Sequence, residues 1–258
     1  MLNSFAMWLD QFTGAQPSLA WCHGTDAYTL KKIITAGAFK PEKCPVFNYE
    51  ELTYFFYGRP AYKNGEPNGI GSTAKGPVML LMDNSVVKAA KRIFPFDTGA
   101  FADNRYARWM HPKMKKEDFE ITSLSDAANK HVEAFFEKNK NYLDCLPGIS
   151  RNLRGEFEAE VINQMLVDRT STRNDSDDRR ITVEMMTDAA LPFTKQYLKA
   201  IIGPQALKTV YWMADFLDGA GKGVEYVSYS LIYMKLANEY QVFFENKAKD
   251  LQRKWHYL

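Results

Sequence analysis

Residues 18–37, Ser-Leu-Ala-Trp-Cys-His-Gly-Thr-Asp-Ala-Tyr-Thr-Leu-Lys-Lys-Ile-Ile-Thr-Ala-Gly, decide how the chain is read. Ser18–Trp21 predicts a short strand ending at His23-Gly24-Thr25. Over Asp26–Ala36, Tyr28, Leu30, Ile33 and Ile34 fall at helical spacing, and Gly37 is a natural C-cap. A polar tripeptide between a strand and a helix exposes backbone N–H groups that hold polar ligands readily. Taken alone, His-Gly-Thr is an ordinary turn, so its weight comes from the surrounding pattern.

Upstream, residues 1–14 place Phe5, Trp8, Leu9 and Phe12 on one side of a short helix. Downstream, the aromatic run Leu52–Tyr57 predicts a buried strand, the glycine-rich stretch Lys63–Gly76 a surface loop, and Pro77–Met82 a central strand. Val86–Ile93 reads as helical, broken by Phe94-Pro95-Phe96-Asp97-Thr98-Gly99, and a further helix is expected from Asp126 to Asn139.

Residues 151–168 fit helix better than strand, because Leu153, Phe157, Val161 and Met165 recur every four residues. Arg169–Arg180 has no aliphatic residue and reads as a solvated loop before the strand Ile181–Met186. Thr194–Ala200 reads as helical and Ile201–Pro204 as a terse strand. Residues 205–258 read as a mostly helical C-terminal extension of a single domain, with Tyr226–Met234 as a candidate extended stretch. Strands and helices without regular βαβ alternation point to an α+β fold.

Composition bounds the function. Of 258 residues, 46% are hydrophobic and 25% charged, an ordinary globular balance. Lys and Arg number 33 against 31 Asp and Glu, so no global field collects nucleic acid, and any basic groove must be local. Cys22, Cys44 and Cys145 form no CxxC pair, which fits a reducing compartment. No basic and then apolar leader and no membrane-length apolar run is visible, so a cytoplasmic protein is expected.

Read together, WCHGTDAYTLKKIITAGAF and PVFNYEELTYFFYGRPAYK resemble the first half of the ADP-ribosyltransferase fold, and within it the DarT-type nucleic-acid-modifying toxins. The resemblance rests on Leu30, Ile33 or Ile34, Gly37, Pro45-Val46, Tyr54-Phe55, Arg59 and Pro60, in two blocks over about a third of the chain. It implies a split mixed or antiparallel sheet with flanking helices, NAD as co-substrate without a metal, and a macromolecular acceptor, nucleic acid or protein. It also implies a bacterial toxin or anti-phage setting, with an antitoxin as possible partner.

The chemistry of nicotinamide–ribose cleavage gives these residue types roles, because its transition state is oxocarbenium-like, as in glycoside cleavage. His23, with Gly24 and Thr25, can hold a ribose hydroxyl, and Tyr54 and Tyr57 are candidate clamps for the nicotinamide ring. Tyr54 and Tyr62, near the ends of the aromatic run, are placed to face a cleft. Arg59 can pair with the pyrophosphate through its planar fork.

The resemblance calls for a later strand-borne glutamate. Glu184 competes with Glu158 and Glu160 for that role, and is preferred because its segment reads as a strand directly after the polar loop 169–180. DarT-type proteins likewise show two basic residues before their glutamate and an apolar-Pro-aromatic step after it, here Arg179-Arg180 and Leu191-Pro192-Phe193. Phe94–Phe101, with Arg105 and Arg108 behind it, is either an acceptor-groove loop or a turn pinned by apolar anchors. No nucleophile elbow, P-loop, HExxH or GxGxxG signature is present. An NAD glycohydrolase and a non-catalytic binding module on the same fold are the alternatives.

Overall fold

The computed structural model describes residues 3–61, 69–148, 153, 155–168 and 179–258. Its strands are β1 (Trp21–Asp26), β2 (Ala38–Phe39), β3 (Glu42–Lys43), β4 (Glu51–Tyr57), β5 (Pro77–Met82), β6 (Arg92–Phe94), β7 (Glu184–Thr187), β8 (Leu191–Pro192), β9 (Leu198–Pro204) and β10 (Glu225–Tyr229). Its α-helices are α1 (Ser4–Leu9), α2 (Ala27–Ala36), α3 (Thr98–Ala102), α4 (Ala127–Phe136), α5 (Asn139–Leu143), α6 (Phe157–Val167), α7 (Tyr211–Asp218) and α8 (Gln241–Lys254). The main sheet runs β10-β9-β5-β1-β4-β7-β6, antiparallel except for the parallel β9–β10 pair, and β3 joins β4. The fold is α+β with a mixed sheet.

The pairing of β1 is uneven. It matches β5 along its whole length, Trp21↔Met82 to Asp26↔Pro77, but meets β4 only at Trp21↔Tyr57 and Cys22↔Phe56. Beyond Cys22 the two strands part, while β4 stays paired with β7 from Thr53↔Thr187 to Phe56↔Glu184. The sheet is therefore closed at one end of the β1–β4 seam and open at the other.

Gln252 of α8 fastens the closed end. Its Oε1 accepts from the Ala20 N–H at 3.0 Å and its Nε2 donates to the Gly58 carbonyl at 2.7 Å, beside the Gly58 N–H bond to Ala20 O. Gly58 is required there, because its φ of +68° and the Leu19 Cδ1 only 2.5 Å from a notional Cβ exclude a side chain.

Side-chain alternation assigns the two faces. Trp21, Phe55, Tyr57, Val78, Leu80, Met82, Met185 and Ile201 face the larger core, under residues of α1, α2, α4, α6 and α7. Cys22, Met79, Leu81, Ala200 and Ile202 face the other way, where Phe244, Ala248 and Leu251 of α8 cover them. On the same face, past β4, Leu52, Tyr54, Phe94 and Met186 pack with Cys44 and Phe47.

Several expected boundaries move. His23-Gly24-Thr25 lies inside β1, because β5 pairs with it throughout. The helix expected over 86–93 is a 3-10 helix that spans Asn84–Ala89 and stops there, and Arg92 already opens β6. The predicted helix Thr194–Ala200 is instead a turn leading into β9, which is buried on both faces and so lacks a strand's polar alternation. Residues 205–258 are not an appendage, since β10 extends the sheet and α8 covers one of its faces. No helix among the described residues is long and apolar enough to cross a membrane.

Candidate active site

His23, Gly24, Thr25 and Tyr54 lie at the open end of the β1–β4 seam, and Glu184 stands one strand over, level with the last closed pair. His23 sits where β1 leaves β4, and its Nδ1 lies 2.8 Å from the Tyr54 carbonyl oxygen. A carbonyl only accepts, so Nδ1 is the donor and Nε2 keeps its lone pair for a hydroxyl. Burial lowers the pKa of the ring, which outweighs the raising effects of the Tyr54 bond and the Glu42 charge, so the neutral tautomer prevails. Phe39 and Phe55 hold the ring, with centroids 5.1 and 5.5 Å away.

Gly24, next on β1, would stand opposite Tyr54 had the seam continued. A Cβ built there meets only the Met79 Cε within 4 Å, at 3.4 Å, an ordinary contact, so packing alone does not require glycine at this position. Thr25 and Asp26 complete the strand, and Asp26 accepts from the Thr29 N–H as N-cap of α2.

Tyr54 is half-buried, and its hydroxyl shares a hydrogen bond with the Cys44 Sγ. Burial, that bond and the nearby Glu184 charge all push the phenol's pKa up, so it stays protonated. Glu184 opens β7 opposite Phe56, on the face of the sheet that carries Tyr54. It is 2% exposed, and its Oε2 accepts from both the Thr98 backbone N–H at 3.0 Å and the Thr98 hydroxyl at 2.6 Å. Burial, then the neighbouring Asp97 carboxylate, push its pKa up to about 8 despite the Thr98 bonds.

No protein-family model matches this chain, and no curated protein sequence matches it.

Three strands thus bring His23, Tyr54 and Glu184 to one stretch of the sheet. Tyr54 and Glu184 share a face, and His23 projects from the other face toward the seam. Two candidates lie elsewhere. Tyr57 is a core residue: fully buried on the opposite face from Tyr54, it accepts from the Leu19 N–H at 2.8 Å and bonds Asn129. Arg59 lies past the closed end of β4, where Nη1 meets the Cys145 Sγ and Nη2 is 3.7 Å from Glu245. Neither is at the open end of the seam.

Glu158 and Glu160 lie on helix α6, where Glu158 accepts from the exposed Ser4 hydroxyl at 3.0 Å. Tyr62 and residues 169–178 of the polar loop lie outside the described residues. Phe94–Phe101 is pinned by apolar anchors: Phe94 and Phe96 are fully buried, and Phe101 stacks on Phe96 at 5.7 Å. Among the described residues, no three acidic, Cys or His side chains group as a metal site.

Asp97, Thr98 and Cys44 were not anticipated as site residues. Asp97-Thr98-Gly99 does carry an N-cap signature, and Asp97 accepts from the Ala100 N–H at 2.7 Å. Nothing local in the sequence says that this cap stands against Glu184.

Proposed function

We propose that the protein is a mono-ADP-ribosyltransferase, taking ADP-ribose from NAD and passing it to a macromolecular acceptor. The observation that carries this reading is the placement of His23, Tyr54 and Glu184 on adjacent strands β1, β4 and β7 beside the point where the seam opens, His23 on one face and the other two on the opposite one. The light packing at Gly24, on the same face, and the shared face of Tyr54 and Glu184 support it.

In this reading the neutral His23 accepts a ribose hydroxyl at Nε2, and the Tyr54 ring lies against the nicotinamide. The bond between ribose C1′ and the nicotinamide nitrogen breaks, and its electron pair leaves with the neutral nicotinamide. Glu184, ionised, stabilises the positive charge left at C1′ and the ring oxygen. The acceptor's lone pair then closes on C1′, and the acceptor loses one proton. The DarT-like pattern puts such an enzyme in a bacterial toxin or anti-phage setting, held in check by an antitoxin.

The test is incubation with NAD labelled on its adenylate half, in the presence of RNA, DNA and protein. Label retained on a polymer supports the transferase, and free ADP-ribose alone identifies a glycohydrolase. No nicotinamide release under any condition overturns both and leaves a binding module.

A further inference from the structure

Glu184 is held by a turn from a distant part of the chain. The loop after β6 delivers Asp97 and Thr98 to it, and Thr98 spends both its backbone N–H and its hydroxyl on the single oxygen Oε2. Thr98 is fully buried and Asp97 is 5% exposed, so water screens neither. The Asp97 N–H also donates to the Arg179 carbonyl at 3.1 Å, which ties the same turn to the segment entering β7. Phe94 and Phe96, both fully buried, anchor the loop on either side of Pro95.

Other side chains on the neighbouring segments have contacts of their own. From β4 comes the Tyr54 phenol, bonded to Cys44. From β6 comes Phe94, and the next residue on that face, Arg92, is committed to Glu50 through bonds of 2.9 and 3.0 Å. The Arg180 guanidinium lies over the Trp109 ring, 5.3 Å from its centroid.

We propose that Asp97 and Thr98 are opposed positioning residues for Glu184, Thr98 fixing the orientation of its carboxylate and Asp97 keeping a second negative charge beside it. The inference rests on the NAD reading for its purpose: two carboxylates that resist sharing a dry site accept a positive charge between them, which C1′ develops as nicotinamide leaves. Burial and the Asp97 charge raise the Glu184 pKa, so the second carboxylate of the pair forms as pH rises toward 8.

The pair makes opposite demands, and that separates positioning from mere packing. In full-length protein with ¹³C-labelled glutamate carboxyls, Thr98→Val raises the Glu184 titration midpoint by about one pH unit, a tenfold change in its ionisation constant. Asp97→Asn, which can still cap α3, lowers the midpoint by a similar amount, and Thr98→Ser restores the wild-type value. Should Thr98→Val not fold, Thr98→Ala carries the same expectation. Any other pattern of midpoints, including shifts in one direction for both variants, overturns the proposal.

Nicotinamide release is measured alongside. A wild-type protein that releases none and titrates as described defeats the NAD reading but not the positioning. An active protein whose midpoints stay fixed does the reverse.

Discussion

The His23 Nδ1 bonds the Tyr54 carbonyl at 2.8 Å across the seam that β1 and β4 have ceased to share. A side chain here takes over from a ladder bond, and in doing so it fixes the imidazole tautomer. His23→Ala therefore loses both the bridge and the Nε2 acceptor, and nicotinamide release should fall about 100-fold. His23→Asn, which can still donate to Tyr54 O, should retain more activity than alanine. Steady-state rates for the two variants check the order.

Gly24 and the open seam give a steric prediction. A methyl at this position meets only a flexible Met79 end, so Gly24→Ala should leave the melting temperature nearly unchanged. Gly24→Val adds bulk beside Tyr54 at the open seam and should weaken NAD binding at least tenfold, measured as KM or by calorimetry. Loss of stability in Gly24→Ala would show that the position belongs to the core.

Glu184 titrates far from its ordinary value, with two consequences. The unfolded chain releases this proton from about pH 4.5 upward, whereas the folded protein keeps it until about 8. Stability from this group is thus complete below 4.5 and is lost between 4.5 and 8, by on the order of a few kcal/mol. Glu184→Gln should gain on the wild type in urea denaturation as pH rises through that window. If the ionised carboxylate acts on NAD, kcat/KM climbs with a limb near pH 8, and Glu184→Gln lowers it about 100- to 1,000-fold.

Tyr57 separates structure from chemistry. Its buried hydroxyl serves Leu19 and Asn129, so Tyr57→Phe should cost about 1–3 kcal/mol of folding stability. Its effect on nicotinamide release, measured where the variant is folded, should be small beside that of Tyr54→Ala.

His131 contributes to acid sensitivity. It is fully buried against Phe135 and Phe136, neither ring nitrogen has a hydrogen-bond partner among the described residues, and burial pushes its pKa down to about 3. The unfolded chain takes up a proton from about pH 6.5 downward and the folded protein does not until about 3, so stability falls as pH drops through that range. His131→Leu should flatten the acid limb of the melting curve, and an unchanged limb would refute the assignment.

What the sequence made legible was local. α2 and β5 announce themselves, one by helical spacing capped at Gly37, the other by the apolar run Pro77–Met82. Glu184 was separable from Glu158 and Glu160 because a fourfold apolar recurrence marks a helix. Tyr57 was misread although its separation from Tyr54 already decides the matter, since three residues along a strand is an odd step and turns the ring to the other face. The register that sets His23 against Tyr54, and the loop that brings Thr98 to Glu184, join residues 31 and 86 apart and leave no local mark.

The clasp made by Gln252 has a further meaning in time. Its partner at the Ala20 amide lies 232 residues earlier, so the strands that shape the site cannot be fastened until that much more chain has been made. At ribosomal speeds this interval is on the order of ten to fifty seconds. A nascent chain would hold His23, Tyr54 and Glu184 without a locked seam, and activity would switch on only when α8 docks.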